Sequence, residues 1–177
     1  MSWPDEILSF WFQELKSDDW WAKNDAVDSQ IEERFLELWQ EQKSKTAGDF
    51  LGSPETALAA VILFDQFPRN MFRDSADAFS TDHLAQQIAK KAVELELDQQ
   101  LPEQQRVFLY MPFMHAEDIQ MQNKSVTLFT KLGSNEKFAN EHHDVIAKFG
   151  RFPYRNEVLG RQTRPEEQAA IDDGASW

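Results

Sequence analysis

Two short segments of the sequence repeat a pattern of a kind that binds anions or pins corners: Phe67-Pro-Arg-Asn70 within "LFDQFPRNMFR", and Phe152-Pro-Tyr-Arg-Asn156 within "FGRFPYRNEVLGR". Proline restricts the chain, asparagine bonds nearby backbone, and arginine presents a planar fork of donors that fits a carboxylate or phosphate. Each copy has further arginines beside it: Arg73 after the first, Arg151 before and Arg161 after the second. Arg69, Asn70, Arg73, Arg151, Arg155, Asn156 and Arg161 are therefore candidate ligand-binding residues, and Arg106 and Tyr110, one helical turn apart, extend either network. Two uses stay open: twin structural corners paired with the chain's own acids, or a single pocket for an anion.

Four groups could move protons: Asp65, His115, Glu117 and His142. Asp65 falls on the apolar side of a helix in its last turn, where a carboxylate is poorly solvated and faces the wrong end of the dipole. It needs a cation, and Arg69 and Arg73 are at hand. The result is a buried ion pair, or else a general base or the orienter of one. His142 shares a face with Phe138, Val145, Ile146 and Phe149, as a core histidine would. His115 and Glu117 lie in "YMPFMHAED", read as a helix entrance. Glu117 and Asp118 then serve the helix start, or His115, Glu117 and His142 form an acid–base or metal set. No His-x-x-x-His or His-Glu-x-x-His spacing supports a metal, so neither a metal nor a cofactor is expected.

The chain has 177 residues, 31 acids against 18 Lys and Arg, and a net charge of −13. That balance disfavours nucleic acid as a partner. With no cysteine, disulfides, thiolate nucleophiles and cysteine-held metals are excluded. All the arginines except Arg34 lie at or beyond Arg69, so an acidic protein is expected to carry one local basic region. The longest apolar run, Ala57 to Phe64, is too short to span a membrane, which needs about 20 residues. No basic and apolar leader opens the sequence, and a cytoplasmic location is expected.

These groups must be positioned by helices. Apolar residues recur at helical spacing throughout, and no segment alternates with period two. The expected fold is all-α: seven to eight helices in stacked antiparallel hairpins, one domain over 1–177 with a frayed tail at about 173–177, resembling a degenerate tetratricopeptide array. A central helix opens at Ser53-Pro54 and stops at Pro68. Another opens at Pro102 and breaks at Pro112. Gly133 and Gly150 end the next two, and Thr163 to Glu166 has the spacing of a capping box for a last short helix.

The segments "LFDQFPRNMFR", "AFSTD", "FLYMPFMHAED" and "HHDVIAKFGRFPYRNEVLGRQTRPEE" resemble the bacterial domain of unknown function 924 family over essentially the whole chain. The resemblance implies a tetratricopeptide-like helical fold and brings no established activity. The sequence departs from the family's common residues at Tyr154, where His is usual, and at Ala116, where Ser is usual. The expected function is a binding module holding an anionic small molecule or the acidic end of a peptide, since such folds more often bind than catalyse. The alternative is a hydrolase- or lyase-like enzyme for a small anionic substrate. Arg69, Arg155 and Arg161 would be its clamp, Asp65 or Glu117 its base, and His115 or His142 its acid.

Overall fold

The computed structural model describes residues 2–172, and its elements are all helical. They are α1 (Trp3–Ser9), α2 (Asp25–Gln42), α3 (Pro54–Val61), α4 (Phe67–Met71), α5 (Asp82–Glu94), α6 (Glu103–Met114), α7 (Ile119–Leu132), α8 (Glu136–Phe149) and α9 (Pro165–Asp172), joined by short turns. The predicted frayed tail at 173–177 lies outside the described residues. Among those described, no helix is long and apolar enough to cross a membrane.

Starts and stops follow side-chain chemistry. Asn24 caps α2 by accepting from the amides of Ala26 and Val27, and Ser53 caps α3 by accepting from that of Thr56. Gly133 and Gly150 close α7 and α8 in the left-handed conformation that a Cβ disfavours. The run from Ala57 to Phe64 is fully buried, and α3 packs against α1, α5 and α6. Beside it an aromatic cluster joins Phe10, Trp11, Phe35, Phe67 and Phe108, with the rings of Phe35 and Phe67 4.7 Å apart. α7 packs against both α6 and α8.

Two prolines do not end their helices as expected. α3 widens into a π-turn at Ile62–Gln66 and continues through Pro68 as α4. Pro68 has no N–H for the Phe64 carbonyl, and the Thr81 hydroxyl donates to that oxygen at 2.7 Å instead. The next carbonyl, of Asp65, is taken by Arg69 Nη1 at 2.6 Å. Side chains thus supply the donors that the backbone lacks, and the π-turn turns Asp65 and Gln66 inward. α6 likewise runs through Pro112, where burial of every residue from Phe108 to Met114 outweighs the roughly 3 kcal/mol an internal proline costs. At α9 the capping acid is one residue later than expected: Glu167, not Glu166, accepts from the Arg164 amide at 2.8 Å.

Candidate active site

The π-turn holds Asp65 beside Gln66, which lines a cleft of about 670 Å³ between α4, α6, the start of α8 and the segment holding Trp20 and Trp21. Asp65 is fully buried. His115, which terminates α6, places Nδ1 2.9 Å from both Asp65 carboxylate oxygens. Gln66 donates to the same carboxylate at 2.5 Å, and Arg69 Nη1 stands 3.5 Å away. The principal partner of Asp65 is therefore an imidazole, with the expected arginine second. His115 is not at a helix entrance but at a helix end, because α6 outlasts Pro112 and α7 begins only after Asp118, whose side chain accepts from the Met121 amide.

Burial opposes ionisation of Asp65, but the charges of His115 and Arg69 and the hydrogen bonds from His115 and Gln66 outweigh it and hold the carboxyl down at about 2. Burial pushes His115 below its ordinary value, and Arg69 adds to that while Asp65 works against it. At neutral pH this is a neutral imidazole beside a carboxylate. Its proton sits on Nδ1, facing Asp65, and Nε2 keeps the lone pair. The ring lines the cleft.

His142 also lines the cleft, its ring centre 6.3 Å from that of His115. Its Nδ1–H donates to the Phe138 carbonyl at 2.7 Å. Burial, then the neighbouring His115, lower it to about 3, which leaves the ring a neutral imidazole at pH 7 and does not suit the acid role expected for it. Phe138, read as part of an apolar core face, is half exposed and forms part of the cleft wall.

The two Phe-Pro corners meet. Phe67 and Phe152 are fully buried, and arginines from both corners reach Asp82. Arg69 makes a two-pronged pair with it at 2.7 and 2.9 Å, and Arg155 Nη1 is 3.5 Å away. Arg69 lines the cleft. Arg155 does not: it is 4% exposed, packed against the rings of Phe79 and Phe152 at 4.6 and 4.5 Å, and donates to the His115 carbonyl at 3.1 Å. It supports the site from behind. Asn70 and Arg73 line the cleft and both bind Asp28 on α2.

The remaining candidates are used elsewhere in the fold. Glu117 accepts from Arg161 at 2.7 and 3.0 Å and from the Phe152 amide at 2.7 Å, so it closes the second corner rather than acting as a base. Arg151 and Asn156 both donate to the buried Glu167. Arg106 donates to the Leu101 carbonyl at the start of α6, and Tyr110 donates to the buried Asp98. Among the described residues no group of three or more histidines and acids is arranged to hold a metal.

Several residues of the site escaped the sequence reading: Gln66, Asp82, Trp20, Trp21, Met111 and Met114. A signal existed for one of them. Gln66, Arg69, Asn70 and Arg73 stand at i, i+3, i+4 and i+7, one face of a helix that does not stop at Pro68. Asp82 carried none, since nothing local distinguishes it among 31 acids.

The family described as bacterial protein of unknown function (DUF924) matches residues 7–175. The chain belongs to that family. It is also similar to a solved structure, a protein of unknown function from Agrobacterium tumefaciens, with 38% identity, a TM-score of 0.91 and 97% of each chain covered. No curated protein matches it. The family brings no activity, so the chemistry has to be read from the cleft.

Proposed function

We propose that the protein is an enzyme acting on a small anionic substrate, with Asp65 and His115 as a general-base dyad. One observation carries the reading: a fully buried carboxylate holds Nδ1 of an imidazole whose ring faces a cleft. Asp65 is sealed from substrate and acts as a positioning residue, fixing the tautomer and stabilising the imidazolium when it forms. His115 is the catalytic base.

Ser, Thr, Tyr and Cys are missing from the described lining, so a protein hydroxyl or thiol is not at hand as nucleophile. Water is the natural one. His115 Nε2 takes a proton from water while the water oxygen bonds to the electrophilic centre. The bond to the leaving group then breaks with its electron pair, and the leaving group receives the proton from Nε2. The lowered affinity of His115 for protons keeps Nε2 unprotonated at pH 7. The other reading, a binding pocket without turnover, is favoured by the apolar walls around Met111, Met114 and Trp20.

Hydrolysis of mono-4-nitrophenyl glutarate, an ester that carries a free carboxylate, separates the two. Wild type should exceed His115→Gln by at least about 100-fold, the scale of a positioned general base. Asp65→Asn should fall between them. Equal rates in wild type and His115→Gln would leave only a binding pocket.

A further inference from the structure

The cleft has a second end, and its chemistry differs from that of the dyad. Gln66, Arg69 and Asn70 line it from the π-turn and α4, and Arg73 lines it from the turn just beyond the end of α4. Arg69 spends its guanidinium on Asp82 and the Asp65 carbonyl. Arg73 is different. Its Nε and Nη2 bind Asp28, which holds the fork in place, while Nη1 makes no hydrogen bond among the described residues and the side chain stays 32% exposed. Lys23 lines the same cleft, tied among the described residues to Asp25 at 3.8 Å in an exposed pair that costs little to rearrange.

Apolar surface occupies much of the remaining wall. Trp21 and Phe138 are 59% and 49% exposed, large rings left in water by the fold, and Trp20, Met111 and Met114 stand with them. Trp21 is not loose: it stacks on Phe108 at 5.8 Å and 16°. A volume of about 670 Å³ suits a small molecule and leaves no room for a folded partner.

From these observations we infer that the cleft takes organic monoanions with an apolar or aromatic body, the carboxylate at Arg73 and Lys23 and the body between Trp21 and Phe138. Which part of such a molecule reacts rests on the general-base reading above; the binding does not. The spare Arg73 donors supply charge-assisted bonds to the carboxylate. Placing the body between the rings removes their exposed faces from water.

Tryptophan fluorescence tests this directly, because Trp20 and Trp21 lie in the site. Wild type is titrated with acetate, hexanoate, phenylacetate, the neutral phenylacetamide and the cation phenethylamine. Phenylacetate should quench saturably and bind at least 10-fold more tightly than phenylacetamide, and each methylene buried from acetate to hexanoate should add up to about fourfold. The double variant Asp28→Asn/Arg73→Met removes both charges, so no buried carboxylate is stranded, and should bring phenylacetate to the affinity of phenylacetamide. Phe138→Ala, at an exposed position, should weaken phenylacetate and leave acetate unchanged. Melting curves establish that both variants fold. The titration reads binding without turnover, so the dyad's chemistry and the anion's seat fail separately. If no carboxylate saturates, if the amide or amine binds as tightly, or if the double variant keeps the preference, the inference is overturned while His115-dependent ester hydrolysis stands.

Discussion

Arg69 and Arg155, one from each Phe-Pro corner, are joined through a single carboxylate, Asp82, with Arg69 at 2.7 Å and Arg155 at 3.5 Å. Asp82 holds the first residue of α5, so three separate segments are tied at one point behind the cleft. Removing the acid leaves two guanidinium groups with little water around them. Asp82→Ala should destabilise the fold by about 3 kcal/mol, the scale for stranding a buried charge. Urea denaturation measures it, and a loss below about 1 kcal/mol would mean that these arginines are solvated.

Asp65→Asn tests the dyad in the folded protein without a substrate. A carboxylate only accepts, so it fixes the His115 proton on Nδ1; an amide also offers N–H, which pairs with the other tautomer. Nitrogen NMR of His115 should show the Nδ1–H form in wild type and a shift toward Nε2–H in the variant. Stability should fall by about 3 kcal/mol as well, because Asp65 is buried against His115 and Arg69. An unchanged tautomer with unchanged stability would remove Asp65 from its positioning role.

Much of this site could be read in the sequence, for specific reasons. Asp65 stood out because a carboxylate amid Leu58, Val61 and Ile62 must have a partner. The corners stood out because a rare pattern occurs twice, and they do converge. The helical class followed from spacing alone. What could not be read depended on distance and on backbone irregularity. Pro68 and Pro112 looked like helix ends; that Thr81 would serve the Phe64 carbonyl, from a turn seventeen residues on, is a fact of packing. With α6 cut short, His115 was placed at the wrong end of a helix. Arg155 and Arg161 looked like part of a clamp because the acids that face them, Asp82 and Glu117, are identified only by proximity.

The pH dependence of stability carries the signature of the buried histidines. An unfolded histidine titrates near 6.5, whereas His142 is lowered to about 3 by burial and His115 is lowered too. Between those values the unfolded chain binds protons that the folded chain does not, so acid favours unfolding. Stability is fully present above pH 6.5 and declines below it, by up to about 1.4 kcal/mol per pH unit for each such histidine. Asp65, held at about 2, adds its own loss only below about pH 4. Urea midpoints at pH 7 and pH 5 therefore isolate the histidines. Wild type should lose about 2 kcal/mol from His142 alone over this range, and His142→Gln should show a correspondingly flatter dependence. Parallel pH profiles for the two proteins would contradict a buried neutral His142.

Glu167 is the fastening of the C-terminal segment to the second corner. Its carboxylate is fully buried and accepts from the guanidinium groups of Arg151 and Arg164, the Arg164 amide and the Asn156 side chain. The bonds from Arg151, then those from Arg164, hold it well below the ordinary carboxylate range. α9 buries little else: Glu167 is its one buried residue, so the helix is attached through this carboxylate more than through apolar contact. Glu167→Gln removes the charge and keeps the size, and its amide nitrogen must face donors instead of accepting from them. Hydrogen exchange should then speed up in α9 and the turn from Arg151 to Arg161. Amides of α3 and α6, whose burial is apolar, should keep wild-type protection. The Asp65–His115 dyad rests on α6 and the π-turn, so mono-4-nitrophenyl glutarate hydrolysis should change less than in Asp65→Asn. Uniform loss of protection through α3 and α6 would instead make Glu167 a support of the whole fold.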